Sequence, residues 1–145
     1  MKSRTRARGI ALQVLYEHDL TGHPPALLLE KRFSEESYDE KLKSFSEKIV
    51  TGIVPIIPYL DKVIAQHAPE WPLDQVATID RNIIRIALWE FAIEQCTPIK
   101  VSINEAIELA KEFGSDSTPR FVNGVLGSLA EQHIEIHNSF LKITT

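Results

Sequence analysis

Apolar residues recur along this chain at intervals of three and four, the spacing of helices that bury one face. Ala7, Ala11, Val14, Leu15 and His18 keep that interval through residues 4–20, and Ile10 and Leu12 widen the stripe. Thr21-Gly22-His23-Pro24-Pro25 ends the segment, because Gly22 suits a helix C-cap and Pro24 cannot extend a helix. Pro25 opens a short second helix to about Phe33, and the polar stretch 34–39 reads as loop. A third helix over 38–53 places Leu42, Phe45, Ile49, Val50 and Ile53 on its buried side. Pro55 and Pro58 predict a break, followed by a fourth helix over 56–67. Residues 68–72 read as a linker in which Trp71 anchors packing.

Past Pro72 the pattern predicts a short turn over 73–76 and a helix over 78–94, with Ile79, Ile83, Ile86, Ala87 and Phe91 in or near the core. Pro98 marks its end. Ser102-Ile103-Asn104-Glu105 has capping-box spacing and predicts a helix start at Ser102, with Ile103, Ile107 and Ala110 facing inward and Gly114 at the stop. Thr118-Pro119 reads as a cap followed by proline at the first helical position, opening a helix that carries Phe121, Val122, Val125, Leu126 and Leu129. Few segments alternate with period two, so the fold class is all-α, with about seven helices.

Composition narrows the function. The single cysteine, Cys96, allows neither an internal disulfide nor a cysteine-pair zinc site, which fits a reducing cytoplasm. No stretch is read as reaching the roughly 18 to 20 apolar residues of a membrane span, so a soluble, cytoplasmic protein without a membrane partner is expected. The histidines lack metal-ligand spacing; His133 and His137 lie four apart but read as an exposed tail. Gly124-Val125-Leu126-Gly127 has no strand before it and no phosphate-binding lysine. Two glycines inside a helix each cost about 1 kcal/mol, usually in return for close packing or a partner's close approach. Glu105 and Glu108 read as a solvated helix face. No catalysis, metal or cofactor is expected.

The net charge of −4 does not announce a nucleic-acid binder, but its distribution is uneven. Lys2, Arg4, Arg6 and Arg8 all precede the first acidic residue, Glu17. Such a local patch attracts phosphate even on an acidic protein, although a merely solvated basic start explains the charge equally well.

Four runs are more specific together than any one of them. They are Arg4-Thr5-Arg6-Ala7-Arg8-Gly9-Ile10-Ala11-Leu12-Gln13-Val14-Leu15-Tyr16, Ile79-Asp80-Arg81-Asn82-Ile83-Ile84-Arg85-Ile86-Ala87-Leu88-Trp89-Glu90, Val101-Ser102-Ile103-Asn104-Glu105-Ala106-Ile107-Glu108-Leu109-Ala110-Lys111 and Phe121-Val122-Asn123-Gly124-Val125-Leu126. In this order and spacing the chain closely resembles the NusB family of bacterial transcription antitermination factors, over about residues 2–132. The resemblance implies two packed helical subdomains, about 1–67 and 72–133, with 134–145 as a tail. It also implies binding to boxA-type single-stranded RNA together with NusE, a small-subunit ribosomal protein. The pair would join other Nus factors on RNA polymerase and promote ribosomal RNA transcription.

On that expectation Lys2, Arg4, Arg6 and Arg8 hold phosphates. Arg4 and Arg8, four apart, share a helix face while Arg6 points elsewhere, a conflict that a flexible arm would remove. Tyr16 offers a stacking surface, although its helical position favours the core. Arg120 beside a helix start, Asn123 one turn on, and the pair Asp80 and Arg81 are further RNA candidates, each with a plain surface or intramolecular role as the alternative. NusE is expected against the carboxyl-terminal half, with Glu90 and Glu94 as exposed contact candidates. Gly127 stands where the family often has aspartate. The runner-up reading is the helical domain of a ribosomal RNA methyltransferase, which the lack of a glycine-rich cofactor loop disfavours; a structural alternative is a homodimer that hides its RNA surface until a partner arrives, and an enzyme is a remote third.

Overall fold

A computed structural model describes residues 2–67 and 75–144, which divide into two compact units, Met1–Ile56 and Ile57–Thr145. The expected linker with Trp71, and Leu73 and Asp74 of the expected turn, lie outside the described residues. Eight α-helices and no strand occur among the described residues.

The first unit is built by α1 (Ser3–Thr21), α2 (Pro25–Glu35) and α3 (Glu40–Ile53). α1 packs on both of the others and is buried around most of its circumference from Ala7 to Leu15, where Ala7, Gly9 and Ala11 let neighbours approach. Gly22 ends α1 as expected: its φ of 74° lies in the left-handed region, and its N–H donates to the His18 carbonyl at 2.8 Å. Leu42, Ile49 and Ile53 of α3 are fully buried with Leu12 and Leu15 of α1. Asp39 caps α3 by accepting the Leu42 N–H at 2.7 Å. The break at Pro55 is a single 3₁₀ turn, Val54–Ile56.

The second unit begins at Ile57, about fifteen residues before the start expected from sequence, because α4 (Ile57–His67) packs on α5 (Thr78–Leu88) and α7 (Thr118–Glu131). α5 runs into a π-helical turn, Trp89–Ile93, and every residue from Asn82 to Ile93 is buried. By length and composition the helical run Glu40–His67 is apolar enough to cross a membrane, with a mean hydropathy of 1.3 over its best window, contrary to the sequence expectation. Its Leu42, Ile49, Val50 and Ile53 are buried in the first unit and its Leu60, Val63 and Ile64 in the second, so core packing accounts for much of that hydropathy.

Three sequence readings need correction here. α6 (Ile99–Phe113) starts after Pro98, three residues before the supposed capping box, so Ser102 sits inside the helix with a buried hydroxyl. The buried stripe is Ser102, Ala106, Leu109 and Ala110; these mostly small side chains let α6 approach α5 and α7 closely, leaving Ile103 and Ile107 half-buried at the flanks. Ser117, not Thr118, is the α7 N-cap. Finally, the expected tail is α8 (His133–Thr144), which packs on the π turn; Ile136 is buried, and His137 Nδ1 donates to the Ala92 carbonyl at 2.9 Å.

Candidate RNA-binding surface

The amino-terminal arginines belong to regular helix, so the arm imagined from sequence does not exist and their directions are set by helical geometry. Arg4 and Arg8, one turn apart, share one ring: their Cζ atoms lie 4.5 and 5.3 Å from the Phe45 centroid. Arg6 turns instead to Tyr38, 5.1 Å from its ring, and its Nη2 donates to Glu36 at 2.7 Å. Lys2, Arg4 and Arg6 are exposed, whereas Arg8 is only 3% exposed and packs as part of the core. Arg8 is therefore a poor phosphate ligand, against the expectation. Asp39 ties this end together by accepting from Ser3 Oγ at 3.1 Å; the Leu42 N–H first, then the Ser3 hydroxyl, hold its carboxyl below the usual range.

Residues from α3 complete the surface. Lys41, Ser44 and Lys48 are exposed on successive turns of α3 and, with Arg4, Phe45 and the carboxylate of Glu40, line a shallow cleft of about 490 Å³. Sequence reading missed both lysines. Their spacing was legible, but on an amphipathic helix it looks like any solvated face until Arg4 is set beside it. Tyr16, expected in the core, is 37% exposed, because α1 buries its other sides.

In the second unit the N-termini of α5 and α7 meet. Asp80 and Arg120 line a cleft of about 600 Å³ there, with Ala77, Ser117 and Phe121. Two helix N-termini and an exposed guanidinium favour an anion. Asp80 opposes that charge only in part: it accepts the Thr118 hydroxyl at 3.0 Å, and burial, outweighing this hydrogen bond, holds its carboxyl above the usual range. Gly114 makes room for Thr118, since a Cβ there would lie 2.6 Å from the threonine side chain. Arg81, half-buried, reaches back to Thr78 Oγ1 at 3.4 Å. Arg120, Asn123, Gly124 and Gly127 share the exposed face of α7, and open space surrounds the place of a Gly127 side chain. Close helix packing therefore does not explain Gly127.

Asp80 yields a pH prediction. Its ionised form is disfavoured in the folded chain, a penalty present above its folded pKa and relieved as pH falls from there towards the ordinary 3.8. Asp80→Asn, whose amide oxygen still accepts from Thr118, should flatten the decline in melting temperature with rising pH across that window. A thermal-melt series as steep as that of the wild type would contradict this assignment.

The partner candidates fare differently. Glu94 is exposed, but Glu90 is 1% exposed and accepts the Thr97 hydroxyl at 2.7 Å, so it is not available to a partner. Glu90 follows Ile83, Ile86 and Ala87 at helical spacing, and every residue from Asn82 to Ile93 is buried, so this stretch has no exposed side to offer.

Comparison with known proteins agrees with this architecture. The model of the NusB family matches residues 5–131. The transcription antitermination protein NusB of Roseiflexus castenholzii is 45% identical over 134 residues, covering 91% of this chain and 94% of that protein. Among solved structures, T. maritima NusB superposes with a TM-score of 0.82 at 33% identity, covering 90% of this chain and 92% of that one. The NusB of a crystal structure of antitermination factors NusB and NusE in complex with dsRNA superposes at 0.80 with 25% identity, covering 96% of this chain and 98% of that one. The chain belongs to the NusB family.

Proposed function

We propose that this chain is a cytoplasmic transcription antitermination factor that binds boxA-type RNA together with NusE and joins other Nus factors on RNA polymerase to promote ribosomal RNA transcription. The observation that carries the RNA reading is the cluster of Arg4, Lys41 and Lys48 around the Phe45 cleft on a chain of net charge −4. Glu40 also lines this cleft, but the three cations outnumber it, and such a local positive excess is the footprint of a phosphate backbone. A relative's complex with NusE and double-stranded RNA supports the choice of partners.

Lys2, Arg4, Arg6, Lys41 and Lys48 would hold phosphates, and the exposed Tyr16 would offer a base a stacking face. The α5–α7 cleft, with Arg120 and Asn123, supplies a second anion site. Glu94 remains a NusE contact candidate; Glu90 does not. A single-stranded target leaves base edges open to the arginine forks, which a duplex would withhold.

The test is titration of a boxA-containing RNA, single-stranded and as a duplex, with and without NusE. Tighter binding of the single strand by the pair than by this chain alone is expected. Equal affinity with and without NusE would refute the joint surface, and preference for the duplex would refute the single-strand reading.

A further inference from the structure

We propose that the exposed face of α8 is a self-docking surface through which two copies of this chain pair antiparallel. α8 follows the end of the region matched by the family model, residue 131. One side of it is fixed to the second unit: Ile136 is buried, the Tyr59 hydroxyl lies 3.2 Å from the Ile136 carbonyl, and the Tyr59 and Phe140 ring centroids are 5.8 Å apart. The opposite side carries large apolar side chains into solvent. Ile134 is 66% exposed and Leu141 45%, with exposed Asn138 between them and exposed Glu135 and Lys142 along the neighbouring edge.

The order of these residues is self-complementary under reversal. Ile134 and Leu141 are seven apart, and so are Glu135 and Lys142; each pair spans roughly 10.5 Å of helix at about 1.5 Å per residue. Their midpoints fall half a residue to either side of Asn138. A second α8 turned end for end about Asn138 therefore brings Ile134 to within one residue, about 1.5 Å along the axis, of the level of the second copy's Leu141 on one edge, and Glu135 equally near that of the second copy's Lys142 on the other. The two-fold axis makes each contact twice. Parallel pairing would instead set glutamate on glutamate and lysine on lysine, so charge selects the antiparallel arrangement. Within one helix the two charges are too far apart to neutralise each other.

Twelve residues of helix bury well under the ~1,200 Å² of a stable specific interface, so the dimer is transient and concentration-dependent. Sedimentation of the full chain over a wide concentration range should show its mass rising from 16.4 kDa towards twice that value, less so at high salt. Glu135→Lys and Lys142→Glu should each weaken the dimer by roughly tenfold or more, because each creates two like-charge contacts. The double swap E135K/K142E should restore wild-type association, and Ile134→Asp should abolish it with the circular dichroism unchanged. A chain monomeric at every concentration overturns the proposal, as does a dimer insensitive to the single swaps or not rescued by the double. So does a monomer that uses Ile134 to hold a different protein.

Discussion

Replacing Arg4 and Arg6 together with alanine should weaken single-stranded RNA binding roughly a hundredfold at moderate salt, taking about 1.5 kcal/mol per charged contact and tenfold per 1.4 kcal/mol. The salt dependence is more diagnostic than the affinity. Each phosphate contact on a single strand contributes about 0.7 to the slope of log K against log salt, so the double variant should lose about 1.4. Both side chains are exposed, and the fold should tolerate their loss. Arg6 does give up its 2.7 Å pair with Glu36, but both partners are well exposed, and such pairs contribute at most about 1 kcal/mol. The same weakness would let RNA take Arg6 from Glu36. Arg8→Ala is the contrast: buried against Phe45, it should lower the melting temperature, so any loss of binding there is confounded with unfolding. Lys41→Ala with Lys48→Ala should reduce the slope further. A slope unchanged in Arg4→Ala/Arg6→Ala would remove the first unit from the RNA interface.

What was legible in the sequence was whatever local chemistry decides. Gly22 with Pro24 fixes the end of α1, Pro25 the start of α2 and Pro55 the break after α3, because each acts on its own backbone. The buried positions of α3 and α7 followed from spacing, since each of these helices buries one face. α6 defeated the same reasoning: its seam is chosen by how closely the neighbouring helices can approach, and small side chains outrank Ile103 and Ile107 there. Glu90 was misread because its acidic side chain suggested exposure, whereas its helical spacing from Ile83 and Ile86 places it inside, where it accepts from Thr97. α8 was passed over because Ile134, Ile136, Phe140, Leu141 and Ile143 point in several directions, some to the core and some to solvent. Of the candidate site, the basic start was visible as charge. Which arginines reach solvent, and which lysines stand beside them, depends on α1 lying against α3.

Asp61→Ala should destabilise the fold by about 3 kcal/mol, towards the lower end of the range for breaking a buried ion pair because the carboxylate itself is 30% exposed. The partner it abandons is the reason for so large an effect. The Arg85 side chain is 4% exposed, and its Nε and Nη2 donate to the two carboxylate oxygens of Asp61 at 2.8 and 2.7 Å. This is a bidentate fork across α4 and α5 that no local sequence pattern announces. Asn82 steadies the guanidinium by accepting from Nη1 at 3.0 Å while donating to the Thr78 carbonyl at 3.0 Å, but it carries no charge. Removing Asp61 thus takes a bidentate carboxylate from a buried cation, whereas removing both charges removes the cation as well. Arg85→Met combined with Asp61→Ala should therefore lose less than the two single costs added together. In urea the midpoint should fall for Asp61→Ala with the slope unchanged, and added salt should do little to compensate. Additive costs in the double variant would mean that the two side chains act independently, and that packing rather than charge ties α4 to α5. If coupling holds, Asp61→Ala should weaken RNA binding only in proportion to the fraction unfolded. The helix that presents Asp80 and leads into the π turn is held by this ion pair, not by the nucleic acid.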